Sequence, residues 1–178
     1  MLARNFNDDL SVGRVAESRI ARWLRQKRGC TVIPVYEIAE QQHKGPQVFS
    51  PDREVVAPDM IVYGRRGACF IEAKCKSVFT WWRKGHVWET GIDLRYHGQY
   101  TALRNYVPWP IHLLFLHVRS TPDKRDLDLG SPATCPTGLF GCDIGQRESH
   151  RDDRWGKDGM IYWAHDDLRL LARLEDVP

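Results

Sequence analysis

Two apolar segments, Asp59 to Tyr63 and Ala68 to Val78, are joined by only Gly64-Arg65-Arg66-Gly67. A short glycine-bounded link between strand-forming runs signals a β-hairpin, and a hairpin's turn decides which residues face each other. With a turn of four residues, Tyr63 faces Ala68, Ile61 faces Phe70 and Asp59 falls opposite Glu72. Side chains alternate along a strand, so Cys69, Ile71, Ala73 and Cys75 share one face while Phe70, Glu72, Lys74 and Lys76 share the other. Glu72 and Lys74 then project the same way, about 7 Å apart.

Two carboxylates opposed across a ladder have β-carbons about 5 Å apart, where like charges destabilise. Something positive has to offset them. Lys74, opposite small Ala57 in this register, supplies part of it. A divalent cation held by both carboxylates would supply more, since hard cations such as magnesium take oxygen ligands. A slip of two residues would turn the pair into diagonal neighbours. An ordinary cross-strand ion network on a solvated face uses the same residue types, but this face also carries Phe70 and Ile61 and so does not read as plain surface.

The other elements follow from hydrophobic periodicity. Over Asp8 to Arg28, Val12, Val15 or Ala16, Ile20, Trp23 and Leu24 recur at helical spacing, with Asp8, Asp9 or Ser11 as N-cap and Gly29 as C-cap. Thr31 to Ile38 reads as a strand despite Pro34, and residues 39–57 as a loop. Residues 79–91, with Trp81, Trp82, Arg83, Lys84, His86 and Trp88, read as an aromatic and basic loop. A second helix is predicted over Asp93 to Tyr106, with Ile92, Tyr96, Tyr100 and Leu103 on one stripe; Gly98 weakens it by about 1 kcal/mol relative to alanine. Ile111 to Val118 is nearly continuous apolar sequence, the pattern of a strand covered on both faces. His112 and His117 point to opposite sides of it and read as core or edge residues. Residues 120–158 read as a long insertion, Met160 to Ala164 as the last strand, and Asp166 or Asp167 as the cap of a final helix to about Leu174.

With 178 residues, 42% hydrophobic and 28% charged, the chain has enough apolar surface for a core and suits one domain over residues 1–178. Its net charge is only +3, so a nucleic-acid partner would have to be met by a local basic patch. Neither an apolar leader segment nor a run long enough to span a bilayer is present, so a soluble cytoplasmic protein with no membrane partner is expected. Five cysteines without a CxxC pair are expected to stay reduced and mostly buried. Cys135 and Cys142, with His150 beyond, match no standard zinc spacing. No Gly-rich phosphate loop, Ser-His-Asp order or HExxH helix is present, which argues against a nucleotide hydrolase or a serine hydrolase.

Pro58-Asp59, a short gap, and Glu72-Ala73-Lys74 in the next strand resemble the motif of the PD-(D/E)xK nuclease superfamily, which includes restriction-endonuclease-like and Holliday-junction-resolvase-like enzymes. The resemblance implies an α/β fold with a restriction-endonuclease-like αβββαβ core over about residues 8–118. In it a central mixed sheet is flanked by helices, followed here by the 120–158 insertion and a strand and helix over 160–175. It also implies metal-dependent hydrolysis of phosphodiester bonds in DNA, with RNA open as an alternative substrate. Asp59 and Glu72 would hold Mg2+ (or Mn2+), the Ala73 carbonyl would add a backbone ligand, and Lys74 would orient the attacking water. The superfamily often has an acidic residue in the first helix and a Gln or Tyr in the helix after the motif. Glu17, on the stripe Gly13, Glu17, Ile20, Leu24, and Gln99 and Tyr100 match those places. Glu17 would complete the site or anchor a second metal; an ion pair with Arg14 or Arg22 is its ordinary role. Gln99 is otherwise a plain helix side chain and Tyr100 a core residue.

Trp81, Trp82, Arg83 and Lys84 are candidate nucleic-acid contacts, because aromatics stack on bases for about 1–3 kcal/mol each and cations meet phosphates. In the alternative the tryptophans cap the core and the cations face water. Arg65 and Arg66 in the hairpin turn, and Arg147, Arg151 and Arg154 in the insertion, are candidate phosphate contacts. Glu148, Asp152 and Asp153 dilute the latter group. Cutting both strands of a duplex with one site per chain is simplest for two chains, so a homodimer is compatible with the reading. The rival from another class is a non-catalytic nucleic-acid-binding module that retains the nuclease fold.

Overall fold

A computed structural model of the chain describes residues 6–35, 46–153 and 158–178, with only the backbone given for residues 6–14. The expected strand residues beyond Val35, the side chain of Arg14 expected to partner Glu17, and Arg154 lie outside what is described. The first periodic segment forms α1 (Phe6–Arg28). Asp8, Asp9 and Ser11 therefore lie inside the helix rather than capping it. At its other end Gly29 adopts a φ of +63°, and the Cys30 N–H donates back to the Leu24 carbonyl at 3.1 Å. This is the left-handed glycine closure expected of a helix C-terminus.

The chain continues through β1 (Thr31–Pro34), β2 (Gln47–Phe49), β3 (Glu54–Val56), β4 (Met60–Gly64), β5 (Gly67–Lys76), β6 (Thr80–Trp82), β7 (Val87–Asp93) and α2 (Leu94–Leu103). It then forms β8 (Ile111–His117), α3 (Lys124–Asp128), β9 (Gly138–Asp143), β10 (His150–Asp152), β11 (Met160–Ala164) and β12 (Arg169–Ala172). Six strands make a mixed central sheet in the order β1-β4-β5-β8-β9-β12, in which β5 and β8 pair in parallel and the other neighbours are antiparallel. A second antiparallel sheet has the order β10-β11-β7-β6, and β2 pairs with β3.

Alternation along β5 divides two hydrophobic clusters. Ile71 and Ala73 join Met60, Val62, Leu114 and Leu116 under the α1 residues Ala16, Ile20, Trp23 and Leu24. Phe70, on the other face, joins Ile111, Leu113 and Phe115, the α2 residues Tyr100 and Leu103, and Trp88, Ile92, Ile161 and Trp163 of the second sheet. Helices thus flank the central sheet, and β8 is buried on both faces as its apolar run predicts.

Several expectations need correction. Residues 79–91 are not a loop. Thr80–Trp82 and Val87–Asp93 pair as a hairpin, as aromatic and β-branched residues around a tight turn favour. The span 120–158 is not outside the core, because its Gly138–Asp143 segment extends the central sheet beside β8. Met160–Ala164 is a strand but belongs to the second sheet and is not the last. No final helix reaches Leu174: a 3-10 turn at His165–Asp167 leads into Arg169–Ala172, which pairs with β9, and a second 3-10 turn covers Leu174–Asp176. The ladder to β9 overrides the helical spacing of Leu168, Leu171 and Leu174. Within residues 39–57, β2 and β3 form a small hairpin. The second helix ends at Leu103 rather than Tyr106. All five cysteines carry free thiols, with Cys135 and Cys142 buried.

The two sheets also set the tolerance of two glycines. A Cβ on Gly91 would lie 2.2 Å from the Ile161 carbonyl oxygen and 2.8 Å from the Tyr162 ring, whereas one on Gly98 meets nothing within 4 Å. Gly91→Ala is expected to destabilise by about 3 kcal/mol through forced displacement of β11. Gly98→Ala should stabilise by up to about 1 kcal/mol as an exposed helix substitution. Thermal melts check both: roughly 6–12 °C down for the first and a small rise for the second. Equal melting temperatures would contradict the packing of β7 on β11.

Candidate active site

The β4–β5 register pairs Tyr63 with Ala68, Ile61 with Phe70 and Met60 with Ile71, as the four-residue turn requires. The ladder ends at Met60, and Asp59 precedes it in a bend, close enough to Glu72 for the two charges to act on each other. Asp59 is fixed at both ends: its carbonyl accepts from the Val35 N–H at 2.9 Å, and its carboxylate Oδ2 accepts from the Ala73 N–H at 2.7 Å. Glu72 is only 2% exposed. Its Oε1 forms an ion pair with Lys74 Nζ, while its Oε2 is buried without a hydrogen-bond partner. Lys74 keeps 32% of its side chain exposed while its ammonium is held by Glu72.

The electrostatics are those of a site short of positive charge. Burial, then the Glu72 charge, push the Asp59 pKa from 3.8 up to about 8, and Lys74 and the Ala73 N–H offset only part. Burial disfavours the Lys74 ammonium, but the Glu72 and Asp59 carboxylates outweigh it and hold its pKa above the usual lysine range. Tyr100, 1% exposed, directs its hydroxyl at Glu72, and burial followed by the Glu72 charge keeps that hydroxyl protonated. One buried and one part-buried carboxylate, an unpartnered oxygen and oxygen-only donors fit a hard divalent cation. Among the described residues no three His, Cys, Asp or Glu side chains form a ligand cluster. Water, backbone or phosphate oxygens would have to complete the coordination, as magnesium commonly requires.

The other candidates separate into those near this centre and those away from it. Glu17 comes from α1, on the opposite face of the sheet, and its charge is the smallest of those raising Asp59. Gln99 accepts from the Val56 N–H at 3.3 Å through Oε1, tying α2 to the segment that leads into Asp59. Tyr100 is enclosed, so it cannot offer a ring face to a base and instead belongs to the carboxylate centre. Arg65 and Arg66 are exposed but sit at the far end of the β4–β5 hairpin, about 20 Å from Glu72 at strand rise. Trp81 packs on Trp88 at 5.1 Å, and Trp82 stacks on His150 at 4.4 Å, so both tryptophans already have ring partners. Arg83 and Lys84 are exposed in the β6–β7 turn.

One contact escaped the sequence reading. Lys74 Nζ lies 5.6 Å from the ring centroid of Tyr96, a cation–π contact, and Tyr96 stacks on Tyr100 one helical turn later. The four-residue spacing of the two tyrosines was the available signal, since such residues share a helix face.

No family profile matches the chain, and no curated protein matches it in sequence. Among solved structures it resembles Hjc, a Holliday junction resolvase from the archaeal hyperthermophile Archaeoglobus fulgidus. The TM-score is 0.52 at 12% identity, with 87% of this chain and 90% of that chain covered. Among the described residues no helix is long and apolar enough to cross a membrane. With its mixed sheet flanked by helices and this structural neighbour, the chain has a restriction-endonuclease-like fold.

Proposed function

We propose that the chain is a metal-dependent endonuclease that hydrolyses phosphodiester bonds in DNA. The observation that carries this reading is the pairing of part-buried Asp59 with buried Glu72, one Glu72 oxygen being unpartnered and the other held by Lys74. Such a pair is costly to bury without a cation. Asp59 and Glu72 would hold Mg2+ or Mn2+, with the Ala73 carbonyl as a backbone ligand and Glu17 at the margin. When bound there, the cation would make a coordinated water more acidic and would neutralise charge on the phosphoryl group. Lys74 positions the attacking water and offsets the negative charge that builds up on the phosphate. Tyr100 orients Glu72, and Gln99 holds the segment that presents Asp59.

The likeness to a Holliday junction resolvase favours branched DNA as the preferred substrate, and symmetric cutting of a junction would take two chains. Cleavage of labelled duplex, single-stranded, flap and four-way-junction DNA, and of an RNA strand, in EDTA, Mg2+ or Mn2+ tests the reading. Products are expected only with metal, most from the junction, and none from Asp59→Ala. Binding without cleavage in either metal would favour the non-catalytic module. Identical behaviour of wild type and Asp59→Ala would remove the site assignment and leave only the fold.

A further inference from the structure

The catalytic face of β5 does not end at Lys74. Side chains on one face of a strand follow one another at about 7 Å, and the next on this face is Lys76. Lys74 is already committed to Glu72. Lys76 is half-buried, and among the described residues no ion pair or hydrogen bond holds its ammonium. The charges that act on it are Lys74 and, with the opposite sign, Asp93 at the β7–α2 junction and then Cys75. Burial, then the Lys74 charge, lower its pKa to about 8, and Asp93 offsets only part of that. A half-buried ammonium beside a second one is unfavourable in the isolated protein and becomes favourable when an anion reaches it.

On the nuclease reading, the anion for which this face is built is a phosphodiester chain. The step from Lys74 to Lys76 is comparable to the distance between successive phosphates along one nucleic-acid strand. Beyond Lys76 the chain turns into the β6–β7 hairpin, whose tip carries the exposed Arg83 and Lys84. In the other direction lies the β4–β5 turn, with Arg65 and Arg66 at its far end.

We infer that Lys76 holds the phosphate next to the scissile one, so that the cleaved strand runs along β5 from Glu72 past Lys74 and Lys76 towards the β6–β7 hairpin. The inference rests on the nuclease function proposed above and gives that site a direction. Lys76 is then a substrate contact in its own right, distinct from Lys74 at the reacting phosphate.

The test uses the full chain and the DNA that it binds best, in EDTA, with single neutral methylphosphonates placed in turn at each phosphate around the cleavage point. For wild type, neutralising the phosphate on one side of the scissile bond is expected to weaken binding about tenfold, the loss of one charge-assisted contact. In Lys76→Ala, and in Lys76→Met, which keeps the aliphatic stem, that same substitution should cost less than about twofold further, because the contact is already gone. The slope of log affinity against log salt should become shallower by about 0.7–0.9. Lys76→Arg should keep the wild-type pattern. Loss spread evenly over all methylphosphonate positions, or an unchanged salt slope in Lys76→Ala and Lys76→Met, would overturn the Lys76 assignment while leaving the nuclease reading intact. A wild-type chain that neither binds nor cuts DNA would overturn both.

Discussion

Lys74→Ala is expected to slow DNA cleavage by about 10³-fold while changing DNA affinity by no more than about threefold. Lys74 is held by Glu72, and affinity comes from contacts to the other phosphates, so its loss removes little binding. The chemical step depends on charge placed where it develops, and Lys74 is the cation nearest to both carboxylates. The substitution also has a structural cost. Glu72, 2% exposed, would lose its ion-pair partner, and stripping one member from a buried pair typically costs about 3–5 kcal/mol. Melting should therefore be followed alongside single-turnover cleavage, and a saturating divalent cation should restore much of the lost stability because it supplies the missing charge. A variant that cuts near the wild-type rate would end the role assigned to Lys74.

The Asp59 contribution to stability in EDTA is expected to fall as pH rises from about 4 to about 8, the reverse of the usual carboxylate share in acid denaturation. Asp59 titrates near 8 in the folded chain against 3.8 when exposed. Folding therefore takes up a proton in that window, and each pH unit costs the folded state up to about 1.4 kcal/mol. Below pH 4 both states are protonated and the contribution is fully present; above 8 both are ionised and it is gone. Because Asp59 is only partly enclosed, the total is a few kcal/mol rather than the full product. Glu89, raised to about 8 by burial and then by Asp152, has the same sign. Asp59→Asn isolates the Asp59 share: its melting temperature should vary less with pH. The cation needs the ionised carboxylate, so Mg2+ should raise the wild-type melting temperature at pH 8 far more than at pH 5, and should do little to Asp59→Asn. Equal Mg2+ shifts in the two proteins would place the cation elsewhere.

How much of this was legible depended on how local the deciding interactions are. The Gly64–Gly67 turn fixes its ladder within a few residues, so the register from Met60 to Ile71, just short of Asp59 and Glu72, could be read directly. The β8 strand was legible because burial on both faces writes itself into every position from Ile111 to Leu116 except His112. The β6–β7 hairpin obeys the same rule, with Arg83-Lys84-Gly85-His86 between two strand-forming runs, but its aromatic and cationic content drew the eye to a loop. Arg169–Ala172 could not be read locally. Its leucines fit a helix, and only pairing with the distant Gly138–Asp143 strand makes it extended. Within the site, the residue types were legible but not their directions: that Tyr100 turns to Glu72 and not to substrate depends on how α2 lies on the sheet.

The carboxylate pair is the product of the shortest link in the central sheet, whereas its cover is assembled from α2 and from strands as distant as Met160–Ala164. Hairpins close in about 1–10 μs, and loop-closure entropy delays contacts between distant segments. In a folding chain, Asp59 and Glu72 therefore meet while still in water, where their repulsion is weak. The penalty is incurred later, when docking of the second helix and second sheet removes that water. Burial of the site, not its first encounter, is the stage of folding at which a cation's arrival weighs most.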